Sequence, residues 1–312
     1  MLKAVFFGTP EFAVPSLEAA IHAADVALVV TQPDRPVGRH AAPRPSAVAR
    51  RAAEAGAGLP VEKPERVKGN EELLARLRAI APDVGIVVAY GRILPNAMLA
   101  IPRLGFVNVH ASLLPRHRGA APVQAALLAG DAESGVVTMR VVEELDAGPL
   151  YLARHVAIRP GEDAGGLSHR LAREGAELLA ETLAGLERGA LEPVPQRGEP
   201  TFSRPLRRED GEVDWDTPAP DIVRRLRAFT PWPGLYTFLD GARVKLLAAD
   251  AGEPPPAALA PGELARAGDL AVVGAGGGTA LVLRRVQREG RTPVSAAEFL
   301  RGLPKLPARL GR

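Results

Sequence analysis

Phe106-Val107-Asn108-Val109-His110 is a short run of aromatic and β-branched residues carrying two polar side chains, and it leads directly into Ala111-Ser112-Leu113-Leu114-Pro115-Arg116-His117-Arg118-Gly119-Ala120-Ala121-Pro122. Such a run, closed by a loop rich in proline and glycine, marks a buried strand. The same signal recurs outward from it. Residues 2–7 end at Gly8, residues 26–31 form a second run, and residues 84–89 are continuously apolar. Helical periods lie between these runs: residues 16–23, residues 47–55 with Ser46 as cap, and residues 69–80 with Leu73, Leu74, Leu77 and Ile80 on one face. Apolar strands alternating with helices predict an α/β fold, a mainly parallel sheet with helices on both faces.

Further along, residues 136–142 and 150–158 read as two more strands joined by an acidic loop, 143–149, and residues 163–188 as a long helix. Residues 191–204 hold three prolines and read as a linker. Beyond about residue 205 the pattern changes to short apolar segments at 236–239, 244–248, 270–273 and 279–286, with a hairpin signal at Asp240-Gly241. That predicts a small β-rich domain, a barrel, at the C-terminus. With 312 residues in all, two domains are expected.

Composition removes several classes of function. The absence of cysteine excludes disulfides, a thiolate nucleophile and cysteine-bound metal. No run of 18 uncharged apolar residues occurs, and residues 1–30 lack the pattern of a secretory signal, so no membrane partner is expected and a cytoplasmic protein is. Gly8-Thr9-Pro10 is not a dinucleotide fingerprint and no phosphate-binding P-loop is present, so neither a nicotinamide nor a nucleotide cofactor is expected. His110, His117 and Asp146 match no strong metal motif, and no metal is expected. The formal net charge of +3 is too small to indicate nucleic acid, but its distribution is informative. Residues 32–51 hold five arginines against one aspartate, among four prolines.

Asn108 and His110 lie two apart on a strand and so share a face, near the C-terminal edge where parallel sheets bind ligands. Both could simply satisfy loop carbonyls. The acidic loop Glu143-Glu144-Leu145-Asp146-Ala147-Gly148-Pro149 supplies the group that favours chemistry. Asn108 suits a developing oxyanion, His110 titrates near neutrality and can move protons, and Asp146 can orient the imidazole. Together they suit acyl transfer with no covalent enzyme intermediate. Ser112 lacks the surroundings of a nucleophile elbow. Trp215 and Trp232 read as packing anchors.

The chain resembles the methionyl-tRNA formyltransferase family over essentially its whole length. The resemblance rests on Phe6-Phe7-Gly8-Thr9-Pro10-Glu11-Phe12-Ala13, Gln32-Pro33-Asp34-Arg35-Pro36 with Gly38-Arg39, Asn108 and His110 with Ser112-Leu113-Leu114-Pro115, Arg118-Gly119-Ala120-Ala121-Pro122, and Leu145-Asp146-Ala147-Gly148. It extends to Asp214-Trp215 and Phe229-Thr230-Pro231-Trp232-Pro233-Gly234. It implies a Rossmann-like catalytic domain at 1–190, a linker at 191–205 and an OB-like, tRNA-binding barrel at 206–312. It implies formyl transfer from 10-formyltetrahydrofolate to the α-amine of methionyl initiator tRNA by a monomer. The family's catalytic trio falls on Asn108, His110 and Asp146, and its folate segment on Ser112, Leu113, Leu114 and Pro115. Its tRNA-contacting insertion falls on roughly residues 32–50, with Arg35, Arg39 and Arg44 as the contacts. Two departures stand out. His40-Ala41-Ala42-Pro43-Arg44-Pro45 replaces the Lys-rich sequence common in that insertion, and His117 occupies a position commonly aromatic. Related enzymes that formylate a small amine, and a noncatalytic RNA-binding protein of the same fold, are the rival readings.

Overall fold

The computed structural model describes residues 1–36, 42–56, 58–252 and 259–311. The chain divides into two compact units that interleave along the sequence. One comprises Met1–Pro122, Ala132–Ile158 and Leu167–Arg204, the other Val123–Asp131, Arg159–Gly166 and Pro205–Arg312.

The first unit is built on a seven-stranded sheet of β1 (Lys3–Gly8), β2 (Asp25–Val30), β3 (Val61–Glu62), β4 (Val84–Val88), β5 (Phe106–His110), β6 (Glu133–Arg140) and β7 (Leu150–Ala157). The spatial order is β7-β6-β5-β4-β1-β2-β3. The five strands from β5 to β3 run parallel, and β6 and β7 are antiparallel additions at the other edge. Two-residue periodicity sorts the side chains to opposite faces. Ala4, Phe6, Val107 and Val109 meet Leu17 and Ala20 of helix Val14–Ala23 and Leu178, Leu179 and Leu183 of helix Ala164–Glu187. Val5, Phe7 and Phe106 meet Leu73, Leu74 and Leu77 of helix Glu71–Ile80 on the other face. The Rossmann-like, mainly parallel sheet covered on both sides is therefore what forms. Ser46 caps helix Ala47–Glu54, its hydroxyl accepting the Ala49 N–H at 3.0 Å.

Residues 191–204, read from their prolines as a linker, lie in the first unit. Phe202–Ser203 pairs in parallel with Arg118–Gly119, and Val194 bridges Leu150. Proline excludes helix here, but an extended chain still offers alternate N–H and C=O groups to a neighbour.

The second unit carries an antiparallel sheet of β8 (Leu235–Leu239), β9 (Ala242–Gly252), β10 (Glu263–Ala267), β11 (Leu270–Ala275) and β12 (Thr279–Arg288), in the order β8-β9-β12-β11-β10. Asp240 and Gly241 both have positive φ, as a two-residue hairpin between β8 and β9 requires. Ala308–Arg309 pairs with β10 while Leu310 bridges Leu239 of β8, so the chain end nearly closes the sheet into a barrel. Trp215 is buried, its indole N–H donating to Thr237 Oγ1 at 3.0 Å. Trp232 does not act as a packing anchor. It is 54% exposed, standing on the turn that follows helix Ala219–Phe229. No helix among the described residues is long and apolar enough to cross a membrane.

Candidate active site

His110 is the last residue of β5, so its side chain stands at the C-terminal edge of the parallel strands. Val107 and Val109 commit one face of that strand to the core, which leaves Asn108 and His110 on the other. β5 is fixed on both sides: Asn108 is in register with Val87 of β4 and Met139 of β6, and His110 with Val137. None of the hydrogen bonds among the described residues uses the Asn108 side-chain amide, so its donor remains available.

The structure brings His110 and Asp146 together across 36 residues of sequence. Nδ1 of His110 lies 3.7 Å from Asp146 Oδ2, with side chains 7% and 14% exposed. That separation exceeds a direct hydrogen bond. Nε2 lies 3.2 Å from the His117 carbonyl oxygen, which can only accept, so this contact places a proton on Nε2. Burial holds the imidazole below its ordinary value. The Asp146 carboxylate and the His117 carbonyl act in the opposite direction and are outweighed. A neutral imidazole at physiological pH is the form able to take up a proton.

Asp146 is placed by its loop. Its own backbone has φ +48°, and its Oδ2 accepts the Gly119 N–H at 2.8 Å. Two residues on, the Gly148 backbone passes so close to Arg140 that a Cβ would overlap the Arg140 carbonyl oxygen. Gly119 is constrained in the same way by the Ser203 carbonyl, at φ +109°. These approaches explain why glycine stands at both positions.

The segment Ser112-Leu113-Leu114-Pro115 lies beside this pair but is largely turned inward. Ser112 is fully buried and its hydroxyl donates to the Arg116 carbonyl at 2.6 Å. Leu114 packs with Val137 and Met139, and Leu113 lies over Gly135, whose lack of a side chain makes the room. Leu113 is the half-buried side chain of the four. Arg35 and Arg44 face each other across a two-rung antiparallel hairpin, Arg35–Pro36 with Pro43–Arg44, and both are exposed. Arg39 lies outside the described residues.

Three contributors, Thr201, Ser203 and Gln196, carry no motif. His117 N donates to Thr201 Oγ1 at 2.8 Å, Ala121 N to Ser203 Oγ at 3.1 Å, and the buried Arg118 donates to Gln196 Oε1 at 2.8 Å. Gln196 Nε2 in turn donates to the carbonyls of Asp146 and Gly148. The available signal was weak: a polar residue among prolines looks like any loop residue.

Comparison with known proteins points to the same chemistry. The class is formyl transferase: residues 2–183 match the family described by that name, and residues 205–304 match its C-terminal domain. The methionyl-tRNA formyltransferase of Koribacter versatilis is 48% identical, covering 99% of this chain and 98% of its own. A methionyl-tRNA formyltransferase of Thermus thermophilus is 46% identical over the whole of both chains. The chain belongs to the methionyl-tRNA formyltransferase family. The N-formyltransferase of Helicobacter canadensis, solved with folinic acid and dTDP-3-aminofucose, shares the fold. Its TM-score is 0.65 at 15% identity, over 91% of this chain and 99% of that one.

Proposed function

We propose that this chain transfers the formyl group of 10-formyltetrahydrofolate to the α-amine of methionyl initiator tRNA, with Asn108, His110 and Asp146 as the reacting-site residues. The observation that carries the reading is the buried pair of His110, on the strand that bears Asn108, with Asp146 of the loop 143–149. It occurs in a chain nearly half identical, end to end, to proteins named for that reaction.

The amine nitrogen bonds to the formyl carbon, and the bond from that carbon to the folate nitrogen breaks. Asn108 donates its amide N–H to the formyl oxygen, on which negative charge builds. His110 receives the proton lost by the amine and returns it to the departing nitrogen, so one neutral imidazole serves both halves. In the working tautomer the ring proton sits on Nδ1 towards Asp146, and Nε2 exchanges the His117 carbonyl for the amine. Asp146 then stabilises the imidazolium. No protein nucleophile is needed.

Ser112-Leu113-Leu114-Pro115 serves as the donor-binding segment. With the Ser112 hydroxyl and Leu114 already committed, Leu113 and the backbone make the contacts. Arg35, Arg39 and Arg44 meet tRNA phosphates from a proline-stiffened stretch, and the barrel within 206–312 follows the tRNA backbone. The barrel region carries Arg284, Arg285, Arg288 and Arg291 close together in sequence; Arg284 pairs with Asp250 at 2.7 Å and Arg288 lies over the Phe299 ring, so Arg285 and Arg291 carry more of that contact. Residues 1–190 hold the reacting-site residues, and residues 191–205, which pair with that part of the chain, lead on to the barrel region. The enzyme works as a cytoplasmic monomer.

The test offers labelled 10-formyltetrahydrofolate together with methionyl initiator tRNA, an elongator methionyl-tRNA and small amines, among them an amino-sugar nucleotide. Efficient formylation of the initiator alone is expected. Label appearing on a small amine, with both tRNAs untouched, would overturn the reading.

A further inference from the structure

A ring of hydrogen bonds closes around Asp146 through the stretch that sequence marks as a connector. Gln196 Nε2 donates to the Asp146 carbonyl at 2.7 Å and to the Gly148 carbonyl at 2.8 Å. Its Oε1 accepts from Arg118 Nη2 at 2.8 Å. The residue after Arg118 completes the ring, because the Gly119 N–H donates to Asp146 Oδ2. That N–H is free to do so because the neighbouring ladder takes the alternate groups: Arg118 N donates to the Thr201 carbonyl and Ala120 N to the Ser203 carbonyl. Successive N–H groups of an extended chain point to opposite sides. Residues 196–203 therefore grip Asp146 twice, on its backbone through Gln196 and on its carboxylate through Gly119.

Asp146 needs such a grip. Glu143, Glu144 and Leu145 before it are exposed, and the Asp146 backbone sits at φ +48°, in the left-handed region that residues other than glycine adopt less readily. The side chains of Glu143 and Glu144 accept from Asn96 Nδ2 at 2.8 Å and from Arg118 Nη1 at 3.3 Å, but the hydrogen bonds to Asp146 itself come from Gln196 and Gly119. The Gln196 amide is suited to the task, since a single planar group donates to two carbonyls and accepts from a buried guanidinium.

We propose that Gln196 is a positioning residue for formyl transfer, tying the carbonyls of Asp146 and Gly148 to Arg118 so that the Asp146 carboxylate stays against the His110 ring. The proposal rests on His110 and Asp146 being the catalytic pair.

The test compares Gln196→Ala with Gln196→Glu in the full chain. Glutamate keeps an acceptor for Arg118 but has no N–H for the two carbonyls, so both variants lose the grip. In each, kcat falls about tenfold or more, as expected when a catalytic group is displaced by an ångström. KM for tRNA and for the formyl donor stays within about twofold. Histidine NMR of the free protein gives a second readout that needs no substrate. The titration of His110 moves to lower pH in Gln196→Ala, because the Asp146 carboxylate supports the imidazolium while burial and His117 oppose it; Gln196→Glu, which brings a carboxylate of its own, is read by kcat. If Gln196→Ala does not fold, Gln196→Glu is read alone. Wild-type kcat in the folded variants, with wild-type titration in Gln196→Ala where it folds, would overturn the proposal. So would loss in Gln196→Ala with full activity in Gln196→Glu, which would assign the effect to the Arg118 contact. If the wild-type protein formylates no tRNA, the functional reading fails by itself, and the NMR shift still decides whether Gln196 holds Asp146.

Discussion

His110 and Asp146 face each other almost out of solvent, held by the strand 106–110, the loop 116–119, the loop 143–149 and the Gln196 side chain. Arg35 and Arg44 instead stand exposed on a hairpin with two paired positions. The contrast follows from what each has to do. Proton transfer needs fixed distances and an imidazole that is neutral before it takes up a proton, and convergent backbone supplies the first while burial favours the second. Phosphate contact needs accessible positive charge, and its strength comes from counterion release rather than from exact placement. One region should fail sharply when a single atom set is removed, and the other should weaken by degrees and in proportion to salt.

The sharpest expected loss is His110→Ala, which lowers kcat by about 10²- to 10⁴-fold in a formylation assay, with tRNA affinity measured by filter binding remaining in the wild-type range. A His110→Ala enzyme with undiminished kcat would remove the basis for the contrast. Gly148→Ala comes next. Its new methyl group overlaps the Arg140 carbonyl, so thermal or urea unfolding should show a loss of about 2–4 kcal/mol. Gly161→Ala, at a positive φ but opening on empty space, should cost only about 1–2 kcal/mol. Equal losses at the two glycines would show that the Asp146 loop can shift without penalty.

The hairpin is tested by Arg35→Ala combined with Arg44→Ala. KM for tRNA should rise severalfold at low salt, and the slope of log affinity against log salt should flatten by about one for each arginine removed. A steep slope left intact in the double variant would separate the hairpin from RNA binding. The smallest expected effect concerns acid stability. His110 binds its proton less readily when folded than when unfolded, so the unfolded state takes up more protons as pH falls below about 6.5, and stability declines over that range. His110→Gln removes this contribution. The fall in melting temperature from neutral to mildly acidic pH should therefore be smaller in the variant than in the wild type.

Much of this is legible in the sequence. The alternation of apolar runs with helical periods pointed to the parallel sheet, because strand and helix periodicities are local and survive without knowledge of partners. The Asp240-Gly241 hairpin and the Ser46 cap follow from equally local rules. Asn108 and His110 were visible as a pair two residues apart, and Asp146 as the acid of a small-residue loop. Other details depend on what lies across the fold. The Ser112 hydroxyl is turned back onto the Arg116 carbonyl, which no reading of Ser-Leu-Leu-Pro as a binding segment foresees. Trp232 is exposed although tryptophan usually packs.

Residue order alone thus specified most of the strands and helices and the polar residues competent for acyl transfer. It did so because dihedral preference, periodicity and side-chain chemistry act over a few residues. The meeting of His110 with Asp146, the depression of the imidazole pKa and the grip of Gln196 on a loop fifty residues earlier came from packing. Those depend on distances and desolvation between segments remote in the chain, and no local pattern encodes them.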